Sequence, residues 1–253
     1  HAPVDGITNL PQFRFRFTQY DAVITIAVEM THGINVCYVF DYWKDEAQVV
    51  KKAQEAGKEL WFFVTHWHGD HYSPAILNFN SPTTRYIVHA DVPHTDMPKD
   101  RTTVMEVGDT TTVKGLKVTM YGSTDEGGSF LIDTGRSTIF HAGDLNWWHW
   151  LGDTPENIDF ARDFAAKEFK RIAGITPDLA MFPVDDRLED AREWGAFEFL
   201  HAVGRLPKLF VPMHRHGPVW TPSLYFNSLY EHMPVWSPKH PGDGVELSEY
   251  SIE

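Results

Sequence analysis

The chain has a single cysteine, Cys37, among its 253 residues. A lone thiol excludes an internal disulfide and a cysteine-based metal site. Its setting, INVCYVFDYW, is that of a small core residue. Long apolar runs are also missing. No stretch approaches the roughly 18 consecutive apolar residues of a membrane span, and the N-terminal HAPVDGITNLPQFRFRF lacks the apolar core of a signal peptide. The expected chain is soluble and cytoplasmic, with no membrane partner. Positive charge is scarce: 22 Lys and Arg stand against 35 Asp and Glu, for a net charge of −13. That field repels a polyanionic backbone, so no nucleic acid partner is expected. A compact anion still fits, because bound cations reverse the local sign of charge. Internal repeats, low-complexity tracts and Pro/Ser-rich linkers are lacking too, which makes one domain over residues 1–253 the simplest organisation.

What remains is the composition of an ordinary globular protein, 42% apolar and 23% charged, long enough for one substantial core. Period and turn signals predict strands at Ala22–Val28, Val36–Asp41 and Leu60–Thr65, with a helix at about Lys44–Ala56 between the last two. A meander follows at Arg85–His89, Thr103–Val107, Thr110–Lys114, Leu116–Tyr121, Ser129–Asp133 and Ser137–Phe140. Thr154-Pro155-Glu156 reads as an N-cap, a first-turn proline and an early acid. Ile158, Ala161, Ala165, Phe169 and Ile172 then recur at helical spacing up to Gly174. Strands at Leu179–Val184 and Leu209–Met213 flank a helix at about Leu188–Val203, and a last helix lies near Ser223–His232. Both halves mix strands with helices, which suits two sheets sandwiched between helices.

The chemistry concentrates in His66-Trp67-His68-Gly69-Asp70-His71, which places four potential metal ligands within six residues directly after an apolar strand. Imidazole nitrogen and carboxylate oxygen suit zinc, iron or manganese, and a loop leaving a strand end can turn alternate side chains toward one point. Gly69 is expected to permit the tight backbone there. Two later strand ends carry candidates of the same type: Phe140-His141-Ala142-Gly143-Asp144 and Pro212-Met213-His214.

His66-x-His68-x-Asp70-His71 resembles the HxHxDH signature of the metallo-β-lactamase superfamily. The resemblance extends over nearly the whole chain, because the Gly-Asp strand end and the strand-end histidine follow in the family's order at gaps of about 70 residues. It implies an α/β fold, an αββα sandwich of two mixed β-sheets flanked by helices. It also implies a divalent metal, zinc first with iron or manganese as alternatives, as one or two ions. His66 and His68 would hold the first ion, Asp70, His71 and His214 the second, with Asp144 shared. The His-Ala-Gly-Asp run and the Pro-Met-His ending look most like the ascorbate-6-phosphate lactonase branch.

The sequence departs from the family in one place. The superfamily usually adds a histidine to the first ion from the loop here reading Tyr121-Gly122-Ser123-Thr124-Asp125-Glu126-Gly127-Gly128-Ser129, and none is present. Asp125, Ser123 and His141 are the substitutes at hand, with Gly128 at the position that aligns with the absent ligand. The missing histidine and the lack of a secretion signal point away from the periplasmic antibiotic-hydrolysing enzymes.

Further residues read as substrate contacts. Trp147 and Trp148, in a run with three of the nine tryptophans, would form an aromatic wall, and Trp67 and Tyr72 could line the same mouth. Arg187, Arg215 and His216 could bind an anionic group, and Asp186 reads as the cap of the helix after it. The combined expectation is a metallo-hydrolase that uses a metal-bound hydroxide to cleave an ester, lactone or phosphodiester bond, with Asp70 and Asp144 catalytic. Its partner would be a small-molecule substrate, with assembly into a homo-oligomer left open. An iron-dependent redox enzyme and a non-catalytic metal-binding protein are the rival readings.

Overall fold

The computed structural model describes residues 13–17, 26–30 and 35–246. The expected strand at 22–28 therefore lies partly outside the described residues. In chain order the first half carries β1 (Phe13–Phe17), β2 (Ile26–Met30), β3 (Val36–Phe40), α1 (Val49–Glu55), β4 (Glu59–Val64), β5 (Arg85–His89), β6 (Thr102–Met105), β7 (Thr110–Val113), β8 (Leu116–Gly122), β9 (Gly128–Asp133) and β10 (Thr138–His141). The second half carries α2 (Pro155–Arg171), β11 (Leu179–Pro183), α3 (Trp194–Ala202), β12 (Leu209–Met213), α4 (Leu224–Leu229) and β13 (Gly244–Glu246).

One seven-stranded sheet runs β13-β1-β2-β3-β4-β5-β6 and a six-stranded sheet runs β12-β11-β10-β9-β8-β7. Both are mixed: β3 to β6 and β10 to β12 are parallel, and the remaining pairs antiparallel. Alternation sorts the side chains of the first sheet onto its two faces. Phe40, Trp61, Phe63 and Ile87 point into the larger core. Cys37, Val39, Leu60, Phe62, Val64, Tyr86 and Val88 point the other way, under Val49, Val50 and Ala53 of α1. Phe63 meets Phe130 of the second sheet edge-on at 5.5 Å, and Phe140 stacks on Phe199 of α3 at 5.2 Å. The layers are thus α1, sheet, sheet, then α2 and α3, each buried aromatic contributing about 1.5–3 kcal/mol. This is the expected αββα sandwich. Among the described residues no helix is long and apolar enough to cross a membrane.

Three helices are shorter than their sequence signals. Residues 44–48 are a capping turn rather than the first turn of α1, because the Asp45 carboxylate accepts from the N–H groups of Val49, Val50 and Lys51. The helix expected over 188–203 is broken: a 3₁₀ turn covers Asp186–Ala191, and Glu189 at φ 52°, ψ −121° interrupts it before α3 starts at Trp194. Its cap is Asp185, which accepts from the Arg187 N–H, while Asp186 pairs with Arg192 at 2.7 Å. The last helix shrinks to α4, capped by the Ser223 hydroxyl on the Phe226 N–H.

Candidate metal centre

Five strand ends meet at one edge of the sandwich. β3 ends in Asp41 and β4 in Thr65 and His66, while β10, β11 and β12 lead to Asp144, Asp185 and His214. Asp41, His214 and His216 have φ of 45°, 54° and 39°. A non-glycine residue in that left-handed region costs on the order of 1–3 kcal/mol, and such strain gathers where side chains must be aimed. Glycine is required at two nearby positions. Gly143 has φ 55° and lies so close to Gly128 that a Cβ would come 2.8 Å from the carbonyl oxygen. Gly127 has φ 65°, and a Cβ there would overlap the carbonyl of Thr65. Gly69 is not such a hinge: its φ is ordinary and a Cβ would meet nothing.

The hydrogen-bond network assigns the histidine tautomers. The Thr65 hydroxyl donates to Asp41 Oδ2 at 2.8 Å, so the contact of His66 Nδ1 with Thr65 Oγ1 at 3.0 Å has the imidazole as donor. His71 Nδ1 donates to Asp41 Oδ2 at 2.8 Å and His214 Nδ1 to Asp185 Oδ2 at 2.9 Å. With Nδ1 committed in each ring, all three turn Nε2 toward the centre, bare in neutral His66 and available on His71 once its proton leaves. Those nitrogens converge on one carboxylate, with Nε2 of His71, His214 and His66 at 3.1, 3.4 and 3.6 Å from Asp144. Carboxylate-backed imidazoles of this kind are the usual support of a metal centre.

Three overlapping donor groups result, each with its ligand atoms within 4.8 Å of one another: His66, His68 and Asp144; His71, Asp144 and His214; Asp70, His214 and His216. The residues fit a divalent cation. His71 Nε2 and Asp144 Oδ1 are buried without a hydrogen-bond partner although 3.1 Å apart, and buried polar atoms left so are costly. Burial opposes ionisation of Asp144, but His71 and His214 outweigh it and hold the carboxyl well below the usual range. Burial likewise opposes charge on His71, yet Asp144 and Asp41 raise its pKa well above the ordinary imidazole value. Two carboxylates demand a cation between them. Burial and the neighbouring His71 push His66 down to about 4, which leaves it neutral and ready to donate its lone pair.

Around these donors lies a cavity of about 380 Å³ lined by His68, Asp70, Asp144, His214 and His216, with Thr124, Asp125, Trp148, Trp150 and Arg187 around them. Arg187 grips Asp185 through Nε and Nη2 and lies 5.5 Å from the Trp150 ring. Asp125 Oδ2 is 4.0 Å from His68 Nδ1. Burial, then the charge of Asp144, raises the Asp125 pKa.

Several expected residues stand elsewhere. Trp147 does not line the cavity: its ring packs on Trp194 at 5.2 Å and on the core, and Trp150 takes the expected place beside Trp148. Asp70 groups with His214 and His216 rather than with His71. His141 stacks on Phe40 at 5.1 Å, and its Nδ1 accepts from the Gly143 N–H, so it belongs to no donor group. Arg215 is buried away from the cavity, and Tyr72 donates to the Pro93 carbonyl. Gly128 cannot carry the absent histidine, because a Cβ there would lie 2.7 Å from the Tyr121 carbonyl oxygen and 2.9 Å from Met120. Sequence reading missed the two supporting carboxylates. Asp41 left a faint signal, an acid closing an otherwise apolar strand.

No protein-family model matches the sequence, and no curated protein does so. Solved structures do match. Igni18, a novel metallo hydrolase from the archaeon Ignicoccus hospitalis KIN4/I, is similar at TM-score 0.61 and 16% identity over 93% of this chain and 98% of that one. The metallo-β-lactamase fold protein YhfI from Bacillus subtilis gives 0.56 and 12% over 93% and 99%. A long form RNase Z from yeast gives 0.61 and 11% over 98% of this chain and 43% of that one. At such identities the likeness speaks for architecture and not for activity; with its paired mixed sheets and flanking helices, the chain has the metallo-β-lactamase fold.

Proposed function

We propose that the chain is a metal-dependent hydrolase that cleaves an ester, lactone or phosphodiester bond of a small molecule. The observation that supports this most is the convergence of three imidazole Nε2 atoms on the buried Asp144 at the floor of an open cavity. A divalent cation, zinc in the first instance, supplies a Lewis acid and lowers the pKa of water toward neutrality. His66, His68, His71, His214 and Asp144 would hold one or two such ions. Asp41 and Asp185 keep His71 and His214 in the tautomer that can donate a lone pair. Asp70 is placed in the cavity to orient the attacking water and to take its proton on a carboxylate oxygen. Burial and the charge of His214 lower the His216 pKa, so it serves as a neutral hydrogen-bond partner. Arg187, already oriented by Asp185, offsets negative charge that develops on the substrate.

The test is turnover of bis(4-nitrophenyl) phosphate and of a γ-lactone by the zinc- and manganese-loaded protein. Activity should vanish on chelation, return with metal, and be lost together with bound metal in His66→Ala and Asp144→Ala, with the circular dichroism of the fold retained. Equal metal content in wild type and both variants would sink the assignment.

A second reading has an observation of its own. His66, His68 and Asp144 form a two-histidine, one-carboxylate set, the type used by non-haem iron oxygenases. Bound iron with visible absorbance and oxygen consumption would favour it over colourless zinc.

A further inference from the structure

Helix α2 carries two apolar stripes where a surface helix needs one. Ala165, Phe169 and Ile172 at its end face the core and are almost fully buried. Phe160 and Phe164, four residues apart and so on one face, fall off that stripe, and Phe160 is 68% exposed. Opposite them stand Trp148 and Trp150, whose rings are within 10° of parallel at 5.9 Å between centroids. Carbon atoms in contact sit about 3.5–4.0 Å apart, so a third ring needs roughly 7 Å to enter between two others. The tryptophans are therefore a wall and not a slot. Between the wall and the phenylalanines runs a groove of about 210 Å³.

Three features tie the groove to the metal cavity. Thr124, Trp148 and Trp150 line both spaces, so the two adjoin along the same three residues. The wall is fixed to the centre itself, since the Trp148 indole N–H donates to the Asp144 carbonyl at 2.9 Å and Thr124 Oγ1 donates to the Asn146 carbonyl at 2.6 Å. Finally, a complete small-molecule site occupies about 300–1,000 Å³. The groove is too small for that and is sized for one part of a ligand whose remainder lies in the neighbouring cavity.

We propose that the groove is a subsite for a flat aromatic arm of the substrate, laid between the Trp148–Trp150 wall and Phe160, while the bond to be cleaved lies over the His and Asp donors. The proposal rests on the hydrolase reading and narrows it: the substrate is an aryl-bearing ester, lactone or phosphodiester with its negative charge toward Arg187. A ring on such a wall gains burial of its apolar faces and a stacking contact beyond area.

Binding of two carboxylates to the zinc-loaded protein, 3-phenylpropanoate and butanoate, tests this by calorimetry. Both carry the same anion, and only one carries the ring. The phenyl ligand should bind about tenfold more tightly, about 1.4 kcal/mol. That ratio should fall toward one in Trp150→Ala and in Phe160→Ser, both at exposed positions, with bound metal unchanged. Equal affinities, no binding of either ligand, or a ratio untouched in both variants overturns the proposal. So does a concentration-dependent dimer that Phe160→Ser abolishes without altering the ratio, which would assign the face to a second copy of the chain. Because the readout is binding, a protein that shows the phenyl preference but cleaves no ester, lactone or phosphodiester keeps the groove and loses the hydrolase reading. One that cleaves methyl and aryl esters with equal ligand affinities does the reverse.

Discussion

His71 and His214, on one side of Asp144, each give their Nδ1 proton to a fully buried carboxylate, Asp41 or Asp185, at 2.8 and 2.9 Å. On the other side His66 leans on a threonine hydroxyl, and His68, a third exposed, has only the half-exposed Asp125 at 4.0 Å as a carboxylate neighbour. One half of the centre is thus held by buried charge and the other by a neutral contact and a solvent-facing acid. A buried carboxylate behind an imidazole fixes its ring and strengthens its lone pair, whereas an exposed acid does little of either. The second position should therefore bind its ion more tightly than the first.

The largest expected effect comes from removing what the two halves share. Asp144→Ala should strip metal from both positions and lower turnover at least about 100-fold, since it exceeds the loss of a mere supporting group. Metal analysis beside the assay checks this, and loss from one position alone would mean that Asp144 does not bridge the halves. Next come the supporting carboxylates. Asp185→Asn should weaken the second position about 10- to 100-fold and leave the first nearly unchanged, whereas Asp41→Asn, which also frees the Thr65 hydroxyl behind His66, should weaken the second as much and the first to a smaller degree, as read by competition with a chromophoric chelator.

Protons sharpen the same contrast. The His71 pKa is raised in the folded protein, so its contribution to metal-free stability is complete below the ordinary imidazole value and disappears as pH rises through the raised one. A cation at the second position must displace that proton. His66, lowered to about 4, has none to give at neutral pH. Calorimetry in buffers of different ionisation enthalpy should find about one proton released by the tighter ion and close to none by the weaker. Equal release by both would break the comparison.

The smallest effects concern the loop that lacks the histidine. Asp125→Asn should weaken the first position less than tenfold, and Asp125→His should tighten it, because position 125 is where the loop faces His68. Gly128→His should instead lower the melting temperature, overpacking against Tyr121 and Met120 by about 1–3 kcal/mol.

What could be read in the sequence follows from how locally each feature is encoded. The six residues from His66 to His71 announce themselves because one strand end supplies them, and Asp144 and His214 stand at strand ends as plain as their apolar runs. The sandwich follows from the near-continuous apolar runs of β3, β4 and β5, buried on both faces, and from strands mixed with helices in both halves. Asp41 and Asp185 were not legible in their roles, since each meets its histidine 30 and 29 residues away in sequence. Asp185 was passed over as a cap because the neighbouring Asp186 is equally well placed by spacing. Trp147 and Trp150 exchange roles because the chain after Asp144 runs as an irregular loop, where no period says which ring faces the cavity. The break at Glu189 lies in a positive φ that no residue preference signals.

The central claim, one centre of two unequal halves, is tested most directly by withdrawing metal from the loaded wild-type protein with a graded chelator while anomalous scattering follows occupancy at each position. The account predicts that the ion beside His66 and His68 leaves first and that the ion between His71 and His214 remains until the chelator is substantially stronger. Two ions leaving together, or the ion beside His68 outlasting its neighbour, would contradict it.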